Sequence, residues 1–141
     1  MQRGEELKLT NRRLGVVGAA GNLGCVIAEV MAPSMDSVLL VGRQGAEKRL
    51  ERRVRQIKKA LGEDCPIIEI STNMADLAGC GVIMTATNSP VPVIFPEHVS
   101  KEPTVICDIA TPGDVDASVV AARPNAYILK GGIVSLPGAQ D

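Results

Sequence analysis

The sequence predicts an α/β fold: a doubly wound parallel sheet of about six strands in the order 3-2-1-4-5-6. Three observations predict it. A short apolar run, Leu14 to Val17, leads into Gly18, Gly21 and Gly24 and then into helix-forming sequence. Further short apolar runs recur along the chain with helical stretches between them, the signature of strands alternating with crossovers. The composition is 45% hydrophobic but has only Phe95 and Tyr127 as aromatics. The core is therefore aliphatic, as expected where strands are covered on both faces.

The elements follow in order. Strand one covers about Arg13 to Val17, and helix one runs from Asn22 to Met31 with Pro33 beyond it. Strand two is Ser37 to Val41. Ala46 to Leu61 is the clearest helix: Ala46, Leu50, Val54, Ile57 and Leu61 form one apolar stripe, and Gly62 suits its C-terminal cap. Strand three is about Pro66 to Ile70, followed by a short helical turn over Met74 to Ala78. Strand four is Gly81 to Ala86, and Phe95 to Val99 reads as another short helix. Strand five is Thr104 to Ile109, Ala117 to Ala122 a helical turn, and strand six Ala126 to Leu129. Residues 1–12 are charged and read as a loose arm, which leaves one domain over 13–141.

The glycine triad carries chemistry. Gly18 lets the chain leave the strand in a conformation a Cβ forbids, Gly21 clears the approach to the backbone, and Gly24 lets the helix pack closely. The helix start, around Asn22 to Cys25, then offers free N–H groups to an anion, for which a dinucleotide pyrophosphate is the natural candidate. The spacing is GxxGxxG rather than GxGxxG, and the competing reading is a glycine-rich turn with no ligand. The expected cofactor contacts at this turn are Gly18, Ala20, Gly21, Asn22, Leu23 and Gly24.

At the end of strand two, where an NAD-binding unit carries a carboxylate for the ribose hydroxyls, this chain reads Val41-Gly42-Arg43. An arginine pairs with a 2′-phosphate through its planar fork of donors, so NADP(H) is the expected cofactor and Arg43 the discriminating residue, with Gln44 beside it. The bland alternative makes Arg43 the solvated start of a basic helix. Eight basic residues stand against two acidic ones between Arg43 and Lys59, a solvated face or a docking surface for an acidic partner. Thr87 and Asn88 follow strand four and suit hydrogen bonding to the nicotinamide ribose; simple loop chemistry before Pro90 is the alternative. Asp108, near the end of strand five, either orients a ligand or ties down the next loop. His98 is the only histidine and reads as a surface residue, and Tyr127 has Gly131 rather than a lysine four residues on, so no Tyr-x-x-x-Lys proton donor exists.

The second half carries a more specific pattern. Gly81 to Asp116 contains the strand-four exit Thr85-Ala86-Thr87-Asn88-Ser89-Pro90 and the strand-five exit Asp108-Ile109-Ala110-Thr111-Pro112-Gly113-Asp114-Val115-Asp116. These resemble the NADP-binding, Rossmann-like domain of glutamyl-tRNA reductases and of the related shikimate/quinate dehydrogenases. The stretch Ala126 to Val134, AYILKGGIV, is more similar to the long-chain acyl-(acyl-carrier-protein) reductases. The resemblance spans about residues 13–134 and implies hydride delivery from NADPH to an activated acyl group, giving an aldehyde. A shikimate-type alcohol–ketone pair and a non-catalytic NADP sensor are the alternatives. The thioester cysteine of the reductases and the Lys/Asp pair of the dehydrogenases lie in other domains of those enzymes and are absent here. The resemblance therefore implies the nucleotide domain of a larger protein, with little catalysis alone.

Other classes are excluded or bounded. A net charge of −1 argues against a general nucleic-acid binder. No apolar run reaches membrane-spanning length, and the polar N-terminus lacks a signal-peptide core. Cys25, Cys65, Cys80 and Cys107 form no CxxC pair and no metal pattern; Cys25 and Cys107 are expected to be buried inert thiols, and the compartment is expected to be the reducing cytoplasm. Partner domains are expected to cover apolar residues near the strand ends, including Ile133, Val134 and Leu136; left uncovered, that patch would drive homodimerisation.

Overall fold

A computed structural model describes residues 11–110 and 113–130. Six strands form one sheet: β1 (Arg13–Val17), β2 (Ser37–Val41), β3 (Ile67–Ser71), β4 (Val82–Thr85), β5 (Thr104–Asp108) and β6 (Ala126–Lys130). Their order is β3-β2-β1-β4-β5-β6, and every pairing is parallel. Among the described residues, three α-helices accompany them: α1 (Asn22–Met31), α2 (Glu47–Leu61) and α3 (Ser118–Ala122). This is the doubly wound Rossmann-like sheet expected from the alternating pattern.

Period-two alternation assigns each strand residue to a face. Leu14, Val16, Val38 and Leu40 face α1 and α2, where they meet Ala28, Leu50 and Ile57. Val17, Leu39, Val41, Ile83 and Ile106 face the opposite layer, with Leu77, Ile94, Val99 and Val119. Leu50 and Ile57 are fully buried, each contributing roughly 1.5–3 kcal/mol of hydrophobic stabilisation. Gly62 ends α2 at φ +57°, a positive φ that glycine adopts without the penalty of a Cβ.

The second layer departs from expectation. The Met74–Ala78 turn is a 3₁₀ helix over Met74–Gly79, and the Phe95–Val99 helix is a 3₁₀ turn over Pro96–His98. Both segments are too short to reward the longer α-helical ring closure. In the second, the Phe95 N–H donates to His98 Nδ1 at 3.1 Å, so the lone histidine closes a turn and is half-buried rather than a surface residue. β3 begins at Ile67 instead of Pro66, because proline has no N–H for the ladder. Cys107 is half-buried, not buried: it shares a row with Met84 and Leu129 on the face opposite Ile106 and Asp108. The apolar Ile133, Val134 and Leu136, and the arm before Asn11, lie outside the described residues. Among the described residues, the exposed large apolar side chains include Leu23, Val26 and Val30, all on α1.

Candidate functional site

Parallel strands deliver their exits to one edge, and the exits of β1, β2 and β4 enclose a groove of about 930 Å³ there. That is within the range of about 300–1,000 Å³ usual for small-molecule sites. The floor is the glycine turn. Gly18 has φ +84°, and a Cβ on it would stand 2.9 Å from the Ala86 carbonyl oxygen and 3.3 Å from Thr87 Cγ2. The turn thus fits against the β4 exit only without a side chain. The Gly18 and Ala19 N–H groups both donate to the Val41 carbonyl, at 3.0 and 3.2 Å, which hangs the turn on the end of β2. Gly24 lies under it: a Cβ there would meet the Gly18 carbonyl oxygen at 2.4 Å.

Helix α1 begins at this turn with Gly21 as its N-cap, no capping side chain and no acidic residue in its first turn. The first N–H groups of a helix have no intrahelical partners, and here no side chain of the cap takes their place. A Cβ on Gly21 would make only ordinary contact with Gly18 O, at 3.5 Å, so this glycine leaves open space rather than relieving a clash. The positive end of the helix therefore opens into the groove, an arrangement suited to an anion.

Gly18, Ala20, Gly21, Asn22, Leu23, Gly24, Arg43, Thr87 and Asn88 all line this one groove. Asp108 does not. It is 1% exposed and ties down the next loop: Oδ1 accepts from the Ala110 N–H, and Oδ2 from the Asp114 and Val115 N–H groups and from Lys130 Nζ at 3.1 Å. Of the two roles open to it in the sequence, the structure gives the loop tie. The β5 exit stays off the groove as far as it is described, through Ala110.

The structure also brings further residues to the groove and its floor. Arg49, in the first turn of α2, lines the groove along with Arg43, and so does Met74, which follows β3. Both arginines are exposed, and among the described residues neither pairs with a carboxylate. In the sequence, Arg53 is one of eight basic residues between Arg43 and Lys59, a stretch expected to present a solvated or docking face. Its Nε donates to the Ala20 carbonyl at 3.1 Å and its Nη2 to Asn22 Oδ1 at 2.9 Å, bracing the glycine turn from α2. Its position beside Val54, on the flank of the apolar stripe, was the available signal. Asp114, fully buried behind Thr87, belongs to the strand-five exit pattern, but nothing local in the sequence marks its burial.

The cysteines take no part. Burial pushes the Cys25, Cys80 and Cys107 thiols up, Cys80 to about 11, which keeps them protonated and unreactive at neutral pH. Among the described residues no group of three or more His, Cys, Asp or Glu could hold a metal ion, and no helix is long and apolar enough to cross a membrane.

Against this fold and groove, the family comparison is decisive: residues 2–129 match the model of shikimate / quinate 5-dehydrogenase. The chain belongs to that family. Solved structures share the fold at low identity. Shikimate 5-dehydrogenase from Listeria monocytogenes, in complex with shikimate and NAD, superposes with a TM-score of 0.59 at 15% identity over 98% of this chain and 52% of its own. The iminosuccinate reductase of Paracoccus denitrificans, in complex with NAD+, gives 0.59 at 22% identity, covering 79% of this chain and 34% of its own. A dipicolinate synthase chain from Bacillus halodurans gives 0.62 at 18% identity, over 87% and 39%. This member of the shikimate/quinate dehydrogenase family thus spans about a third to a half of the length of those proteins. The AYILKGGIV likeness to acyl reductases runs, from Gly131 on, outside the described residues.

Proposed function

We propose that this chain is the nicotinamide-dinucleotide domain of a dehydrogenase or reductase, and that its cofactor is NADP(H). The observation that carries the reading is the composition of the groove: an uncapped helix start at one end of β1, and two arginines with no carboxylate at the end of β2. The pyrophosphate would lie on the N–H groups around Asn22 to Gly24, and the 2′-phosphate against Arg43 and Arg49. Thr87 and Asn88 would meet the nicotinamide ribose. The structures of related fold that hold NAD or NAD+ support a nicotinamide cofactor; the preference for the phosphorylated form rests on the arginines.

The bound cofactor supplies hydride; the residues of this chain bind it, orient it and shield its ring. The substrate and the groups that move its proton would come from a partner domain. Family membership favours an alcohol–ketone pair as the parent reaction. Reduction of an acyl thioester to an aldehyde is the second reading, supported by the AYILKGGIV segment.

Calorimetric titration with NADPH and NADH, repeated on Arg43→Ala, tests the cofactor reading. A charge-assisted contact of this kind contributes about 1.5–3 kcal/mol, so NADPH should bind roughly 10- to 100-fold tighter than NADH, and the variant should lose most of that margin. Equal affinities in the unsubstituted protein would refute the assignment to NADP(H), and an unchanged preference in Arg43→Ala would refute Arg43 as the discriminating residue. Absence of binding by either nucleotide would refute the dinucleotide reading itself.

A further inference from the structure

Asp114 is a carboxylate with no exposed surface, sealed behind the wall of the groove. It faces away from the cavity and toward the segment that forms it. Asp114 Oδ2 accepts from Thr85 Oγ1 at 2.6 Å and from the Thr87 N–H at 3.0 Å, and Oδ1 accepts from Thr87 Oγ1. Its backbone carbonyl accepts from the Val93 and Ile94 N–H groups, both at 2.8 Å, and Val93 lines the groove as well. Asp114 is itself held from behind, its N–H donating to Asp108 Oδ2 at 2.9 Å. Three donors of Thr85 and Thr87 thus end on one buried carboxylate, and a buried polar group keeps its place only while such partners surround it.

We infer that Asp114 is a positioning residue for the proposed cofactor site: acting through Thr87, it fixes the wall that would meet the nicotinamide half. The inference rests on the cofactor reading above. The geometry separates two halves of the groove. The glycine turn and the arginines at the β2 exit make no hydrogen bond with Asp114, whereas Thr87 makes two through its side chain and backbone. Thr87 Oγ1 also accepts from the Ser89 N–H at 3.2 Å, so the carboxylate orients the whole exit of β4 around Asn88. Without the carboxylate, the Thr87 hydroxyl and N–H lose their acceptor, and that wall loosens while the adenosine end stays built.

The experiment compares NADPH with adenosine 2′,5′-bisphosphate, a probe of the adenosine end alone, by calorimetry on the unsubstituted chain and on Asp114→Ala. Val119→Ala, a core truncation at a side chain that does not line the groove, controls for lost stability. Asp114→Ala should lose about tenfold in NADPH affinity while holding the bisphosphate within about twofold; Val119→Ala should hold both. Fluorescence of bound NADPH should shift in the Asp114 variant only, since it reports the nicotinamide surroundings. Should Asp114→Ala fail to fold, Asp114→Asn and Thr87→Val serve in its place and should move NADPH affinity and fluorescence in the same direction. Unchanged NADPH affinity, or equal losses for both probes, would overturn the inference and leave the cofactor reading standing. An unsubstituted chain that binds neither probe overturns the cofactor reading and this inference with it.

Discussion

Replacing Gly24 by alanine sets two effects of opposite sign against each other. Alanine in a helix is about 1 kcal/mol more favourable than glycine, from the smaller loss of backbone entropy. The new Cβ, however, would stand 2.4 Å from the Gly18 carbonyl oxygen and 2.9 Å from Ala19 Cα. Both are backbone atoms of a turn held by the Val41 carbonyl, so no rotamer change relieves them. Overpacking relieved by small side-chain shifts already costs about 1–3 kcal/mol, and displacement of a hydrogen-bonded turn belongs at or above the top of that range. The net expectation is a loss of about 2 kcal/mol, which at a urea slope of about 2 kcal/mol/M moves the unfolding midpoint down by roughly 1 M. Gly79→Ala is the control, because a Cβ there meets nothing within 4 Å. Urea unfolding followed by circular dichroism measures both. A Gly24→Ala midpoint equal to or above that of the unsubstituted protein would show that helix propensity outweighs the contact, and the account of the turn would be wrong.

Two further predictions concern what surrounds the turn. Arg53→Met keeps the aliphatic stem of the side chain but removes the hydrogen bonds to Ala20 and Asn22; NADPH affinity should fall about threefold to tenfold by titration with little change in NADPH-over-NADH preference, which separates bracing from the direct contact proposed for Arg43. Cys80 is expected to contribute to alkaline stability. Desolvation raises its folded-state pKa to about 11, so its protonated form stabilises the fold below the ordinary thiol range. That stability is lost as pH rises from about 9 to about 11, up to roughly 2.7 kcal/mol at 1.36 kcal/mol per unit. Thermal unfolding across that window should fall more steeply for the parent than for Cys80→Ala, and parallel curves would count against it.

Much of this fold was legible in the sequence because its signals are local. Helix α1 opens at a glycine turn and closes before Pro33, and the apolar stripe of α2 has no competing periodicity. The glycines and Arg43 were legible for the same reason: the first are required by backbone geometry, and the second is conspicuous where a carboxylate would stand. The second layer was harder, since 3₁₀ turns of three to six residues leave little periodicity to read. Buried polar groups were hardest of all. Asp108 and Asp114 differ from surface aspartates only through partners separated from them by up to 29 residues in the chain. Arg53 was hidden differently, by seven other basic residues along the same stretch.

The two walls of the groove are encoded in unlike ways. The turn after β1 hangs on the Val41 carbonyl, a group every amino acid possesses, so substitutions at position 41 that keep the strand buried leave this support in place. The wall after β4 hangs on the Asp114 side chain, which one codon change can remove. Sequence drift therefore acts on the two unequally. The glycine side persists through changes in β2, while the β4 side can be retuned or abandoned in a single step without rebuilding the sheet.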